Sequence, residues 1–173
     1  MMFLYILVGF LILLILLALF APKKYDMSRS ITINRSVEEV YEYLRQTKNQ
    51  DYWSPWKQKD PNMKQEYFGT DGEVGFIARW EGNKDVGVGE QEIKKLTKNE
   101  RIDTELRFFK PWKAVSDAYF IIEGKGSSTE VVWGFSGINK APLNIMMLFM
   151  NMDKSVGKDF NEGLASLKEI MEK

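Results

Sequence analysis

From Ser30 to Phe135 the chain alternates apolar and polar residues in short runs, and the segments on either side follow other patterns. Ser30–Asn34 (SITIN) places Ile31 and Ile33 on one face, the period of a half-buried strand. A helix begins immediately after it. Ser36 and Glu39 have capping-box spacing, and Val37, Val40, Tyr41 and Leu44 fall at i, i+3, i+4 and i+7. Asn34-Arg35-Ser36 is formally a glycosylation sequon, and the cap explains Ser36 better. Alternation then predicts strands over 64–68, 74–80, 86–96, 101–108, 115–122 and 129–135, joined by TDG, EGNKD, KNE and EGKGSS turns as in an antiparallel meander. The chain closes with a long helix, Pro142 to Met171, whose stripe is Val156, Phe160, Leu164, Leu167 and Met171.

Strand, helix, six strands and a long helix predict an α+β fold, in which a seven-stranded antiparallel sheet curls around the C-terminal helix to bury both apolar faces. Curling leaves a gap between the concave face and the helix. Alternation turns five sets inward: Val74, Phe76, Ala78 and Trp80; Gly89, Gln91 and Ile93; Ile102, Thr104, Leu106 and Phe108; Ala118, Phe120 and Ile122; Val131, Trp133 and Phe135. Gly87 and Gly89 permit a bulge that shifts the register of their strand. Arg79, Glu81, Glu105, Arg107 and Asp117 fall on the opposite, solvated face.

The first stretch, MMFLYILVGFLILLILLALFA, has no charged side chain from Met1 to Ala21. At about 1.5 Å per residue it reaches about 30 Å, the hydrocarbon thickness of a bilayer. A cleavable signal peptide would have a basic start, a shorter apolar run and small residues at its cut, so the expectation is an uncleaved anchor. Lys23, Lys24, Arg29 and Arg35 all follow the run, which favours a cytoplasmic location for what comes after. The resulting division is an anchor over 1–22, a tether over 23–27 and a ligand-binding domain over 28–173.

Composition narrows the chemistry. Lys plus Arg and Asp plus Glu both number 24, so no net field draws the chain to nucleic acid, which is not expected as a partner. There is no cysteine and no histidine among the 173 residues, which excludes thiol nucleophiles, a Ser-His-Asp triad and the usual N/S zinc site. No metal, cofactor or catalytic residue is expected. The stretch DYWSPW (51–56) sets Trp53 and Trp56 three apart beside Pro55, either as core or with one ring at a cavity mouth. Trp80 and Trp133 face the same choice. Gln91, with Thr104 beside it, is the main inward polar side chain, suited to one oxygen of an apolar guest or to backbone and water. IMMLFMNM (145–152), including Phe149, is an adaptable apolar segment suited to packing, gating or membrane contact.

In their shared order, WSPW, DPN, YFGTDGEVG, ARWEGNKDVGVG, STEVVWGFSG and VGKDFNEGLASLK resemble the polyketide cyclase/dehydrase branch of the START-like (SRPBCC) superfamily, over Ser28 to Glu172. The resemblance implies the helix-grip fold and a deep hydrophobic cavity used in different members for lipids, sterols or polyketides; it implies no particular reaction. The expected function is a membrane-anchored domain that binds a hydrophobic small molecule or lipid. Its expected lining is Trp53, Trp56, Phe76, Trp80, Gln91, Thr104, Leu106, Phe108, Phe120, Trp133 and Phe149. Two alternatives stand beside it: a cyclase or dehydratase in which Gln91, Tyr41 or a water moves protons, and an interaction module whose cavity is filled by its own side chains.

Overall fold

The computed structural model of the chain describes residues 1–141, 143–148 and 152–173. An apolar helix, α1 (Met2–Phe20), leads into β1 (Lys24–Ile33), and α2 (Val37–Arg45) follows. Ser36 caps α2 as its spacing predicts: its hydroxyl accepts from the Glu39 N–H, and the Glu39 carboxylate accepts from the Ser36 N–H. Two short helices, α3 (Gln50–Trp53) and α4 (Pro55–Lys59), break at Ser54 because Pro55 has no N–H to continue α3 and suits the first position of α4. The remaining strands are β2 (Lys64–Phe68), β3 (Ile77–Glu81), β4 (Val88–Thr97), β5 (Arg101–Lys110), β6 (Ala114–Lys125) and β7 (Ser128–Ile138). A 3₁₀ segment, Leu143–Leu148, precedes the last helix, α5 (Met152–Met171).

All seven strands form one antiparallel sheet in the order β1-β7-β6-β5-β4-β3-β2. Neighbours in sequence are neighbours in space, except that the first strand pairs with the last. The core lies between the concave face and the helices. Phe160, Leu164 and Leu167 of α5 and Val40, Tyr41 and Leu44 of α2 meet Ile102, Phe120, Val131 and Trp133 of the sheet. Gly163 is what lets α5 sit this close: a Cβ there would lie 2.8 Å from the Trp133 ring and 3.1 Å from Pro55.

Three expectations need correction. The 23–27 tether is mostly strand, because β1 pairs with β7 from Lys24 opposite Ile138 onward and Met27 is buried. Val74 is 61% exposed rather than inward. Gly75, at φ +91, turns the chain where a strand was expected, and β3 starts at Ile77. The long closing helix divides into the 3₁₀ segment and α5. The register of β4 does shift at Val88/Gly89, and again at Ile93/Lys95.

The convex face is charged, as its alternation requires. Arg107 donates from Nε to Glu90 at 2.6 Å and from Nη1 to Glu92 at 2.6 Å and Glu105 at 2.5 Å. Hydrogen bonds from Arg107, and secondarily from Lys94, hold the Glu92 carboxyl below the usual carboxylate range. This cluster keeps the side chains of β4 and β5 sorted, charge outward and apolar groups toward the interior.

Candidate functional site

Sheet and helices leave a cavity of about 550 Å³, partly open to solvent. That volume falls within the roughly 300–1,000 Å³ common to small-molecule sites. The space expected between sheet and helix exists, and the side chains do not fill it. Six large aromatic residues, Trp56, Trp80, Phe108, Trp133, Phe135 and Phe160, form part of the wall. Trp133, at the middle of β7, organises it. Its ring stacks on Phe160 at 4.2 Å and on Phe120 at 5.7 Å, and meets Trp53 and Trp56 edge-on at 5.0 and 5.5 Å.

The two tryptophans of DYWSPW divide the roles proposed for them. Trp53, at the end of α3, is 1% exposed, packs on Phe120 and Trp133, and does not reach the cavity. Trp56, in α4, is half-buried and forms part of the wall. Pro55 produces the difference by restarting the helix between them.

Of the expected lining, the structure brings Trp56, Trp80, Gln91, Leu106, Phe108 and Trp133 together around the cavity. It does not bring Trp53, Phe76, Thr104 or Phe120 there. Trp53, Phe76 and Phe120 pack into the core, at 3% exposure or less. Thr104 is spent on structure, accepting from Gln91 Nε2 at 3.2 Å and donating to the Ala118 carbonyl at 3.3 Å. Phe149 lies outside the described residues. Tyr41, a proton-moving candidate, is buried away from the wall, and burial raises its phenol above the ordinary value.

Two polar groupings on the wall escaped the reading by alternation. Tyr25 of β1 and Ser116 of β6 share a hydrogen bond of 2.7 Å between their hydroxyls. On the other side, Lys57 donates to Gln65 Oε1 at 2.7 Å, and Gln65 Nε2 donates to Asp51 at 2.7 Å. The Tyr67 hydroxyl donates to the second Asp51 oxygen at 3.0 Å. This chain ties α3 and α4 to the edge strand β2. Burial first, and then the bond to Asp51, hold the Tyr67 phenol well above its ordinary value, so it stays a neutral donor. Gln65 and Tyr67 alternate inward on β2, which was the available signal. Asp51 was quoted only as part of an aromatic stretch. The amide oxygen of Gln91 has no hydrogen-bond partner among the described residues, leaving an acceptor on the wall.

Known structures share this architecture. The Aha1 dimer from Colwellia psychrerythraea is 18% identical, with a TM-score of 0.60 over 86% of this chain and 96% of that one. Norcoclaurine synthase from Thalictrum flavum is 9% identical, with a TM-score of 0.63 over 83% and 92%. Ginseng major latex-like protein 151 from Panax ginseng is 12% identical, with a TM-score of 0.58 over 87% and 99%. No protein-family model matches the sequence, and no curated protein matches it. The fold is therefore the helix-grip fold, a curved seven-stranded antiparallel sheet closed on a C-terminal helix, here with an apolar helix before it.

Proposed function

We propose that this chain is a membrane-anchored carrier or sensor of a hydrophobic small molecule or lipid, held between the sheet and α5. The observation that carries the reading is the unfilled, aromatic-walled cavity of about 550 Å³. Polar groups set among the aromatic ones suit one polar end of an otherwise apolar guest. Gln91 supplies an acceptor, and the Tyr25–Ser116 pair and the Asp51–Tyr67 chain supply further contacts. In this reading the domain belongs to the polyketide cyclase/dehydrase branch of the START-like superfamily, whose motifs its own resemble in their order. Binding is favoured over cyclase or dehydratase chemistry by the state of the wall. Titration of the Tyr67 phenol is pushed further above neutral pH, so it holds its proton, and Asp51 already accepts two hydrogen bonds from its neighbours.

Native mass spectrometry of the full chain, released from mild detergent, tests this. An added mass of an apolar compound on the folded protein is expected. The bare chain mass, combined with no binding of a dansyl-labelled fatty acid, would overturn the reading.

In this proposal residues 1–22 are the anchor. Helix α1 is 19 residues long with a mean hydropathy of 3.1 and no buried residue, so length and composition suffice to cross a bilayer. The basic residues after it favour a cytoplasmic position for the domain. A reporter fused to the C-terminus should be active on the cytoplasmic side. Digestion of the domain by protease added to sealed, right-side-out cells would reverse that orientation.

A further inference from the structure

The cavity mouth and the exit of α1 lie at one end of the sheet, as the strand register shows. Lys24 stands opposite Ile138, Tyr25 opposite Gly137, and Gly137 opposite Ser116. The start of β1, the end of β7 and the start of β6 are therefore level. Antiparallel pairing brings the β5–β6 hairpin (110–114) and the β3–β4 loop (82–87) to that same end. The exposed part of the cavity wall comes largely from these two segments, through Lys84, Asp85, Lys110, Pro111, Trp112 and Ala114. The opposite end, at the β4–β5 and β6–β7 turns, contributes nothing to the lining.

This end is close to α1 and is held there. Only Ala21, Pro22 and Lys23 lie between Phe20 and Lys24, at most about 14 Å of chain. Asn144, which is fully buried, donates from Nδ2 to the carbonyls of Ala18 at 2.7 Å and Ala21 at 3.1 Å, capping the end of α1 with the segment that leads to α5. The helix thus leaves the domain from a fixed point rather than from a slack tether. From β1 to the β5–β6 hairpin is three strand spacings, or about 14 Å.

The surface around the mouth has the composition of a membrane interface. Trp112 is 67% exposed at the hairpin tip, and beside it Val115 and Ile138 are 56% and 61% exposed. Lys23, Lys24, Lys84, Lys110, Lys113 and Lys140 cluster at this end against Asp60, Glu81 and Asp85, and none of these lysines has an ion-pair partner among the described residues. Tryptophan beside unpaired lysine suits the headgroup layer, the ring among the upper acyl chains and the ammonium groups at anionic phosphates.

We propose that the cavity opens onto the bilayer that α1 crosses. The Lys110–Ala114 hairpin rests in its headgroup layer, on an anionic leaflet, and the guest enters and leaves through lipid rather than through water. This rests on the anchor and the ligand-binding cavity proposed above. It gives Trp112 and its flanking lysines a role in docking the mouth.

The chain has no cysteine, so Trp112→Cys introduces a single thiol for a nitroxide label, and Lys113→Cys provides a second label in the same turn. Lys98→Cys, at the opposite end of the sheet, is the control. The full chain is reconstituted in phosphatidylcholine vesicles with and without phosphatidylglycerol, and accessibility to oxygen is compared with accessibility to a water-soluble nickel chelate. Labels at 112 and 113 should favour oxygen over nickel several-fold more than the label at 98. The contrast should be larger on the anionic vesicles and shrink when Lys110→Gln is combined with Lys84→Gln. Labels at 112 and 113 as open to nickel as the one at 98 would overturn the proposal. A dansyl-labelled fatty acid, titrated onto the same samples, separates the two readings. Probe binding with a water-exposed hairpin refutes only membrane docking of the mouth, whereas a buried hairpin with no probe binding refutes the ligand cavity.

Discussion

Trp133→Ala is expected to destabilise the domain by roughly 3–5 kcal/mol, the cost of truncating a large aromatic core residue. Trp133 is 6% exposed and has four aromatic neighbours drawn from α3, α4, α5 and β6. Removing it takes away the surface on which both Trp53 and Trp56 rest and the stack with Phe160 that joins α5 to the sheet. Gly163 cannot refill the space, since its lack of a side chain is what admitted the ring. For a domain of this size the loss corresponds to a fall in Tm of roughly 10 °C or more. Denaturant melts of the parent and the variant in the same detergent measure it. A change below about 1 kcal/mol would mean that Trp133 is not the keystone of the core.

Leu106→Trp should abolish most ligand binding while leaving the fold nearly as stable. Leu106 is half-buried on the cavity wall, opposite Gln91 on one side and Ser116 on the other. A larger ring there extends into empty space, so the usual overpacking cost of about 1–3 kcal/mol should be largely avoided. The guest loses that volume together with access to Gln91 and Ser116. Affinity for a dansyl-labelled fatty acid is expected to fall at least tenfold, or about 1.4 kcal/mol. Parent-like binding by a folded Leu106→Trp variant would place the probe outside the cavity. Trp56→Ala provides the complementary case, enlarging the wall from the helix side with a smaller loss of stability than Trp133→Ala.

The fold was legible because its signals are local. Ser36 and Glu39 mark the start of α2 by a hydrogen-bond exchange within one turn, and the strand from Lys64 to Phe68 was predicted to the residue. The tryptophan in β7 was placed inward by period alone. The errors fall where local rules compete. KYDMS holds only two apolar residues among charged ones, so it reads as a tether, yet the long edge of β7 offers a partner from Thr129 to Ile138. Val74 continues an apolar alternation, but the glycines around it turn the backbone first.

The site was less legible than the fold, and one physical reason accounts for this. Alternation says which side of a strand faces inward, and it identified Trp80, Gln91, Leu106, Phe108 and Trp133 on the cavity wall. It cannot say whether an inward residue meets another side chain or empty space, because that depends on how far the sheet curls and where the helices land. Phe76 and Phe120 face inward and are packed, whereas Phe108 faces inward and meets the cavity. The Lys57–Gln65–Asp51–Tyr67 chain joins two short helices to an edge strand, and the Tyr25–Ser116 pair spans 91 positions. The sequence pattern alone determined the apolar helix, the meander of the six later strands and, Val74 apart, the inward face, whereas the pairing of β1 with β7 came from the tertiary structure. Tertiary packing decided which inward groups line a cavity and that its mouth lies beside the end of α1, because both depend on contacts between residues far apart in the chain.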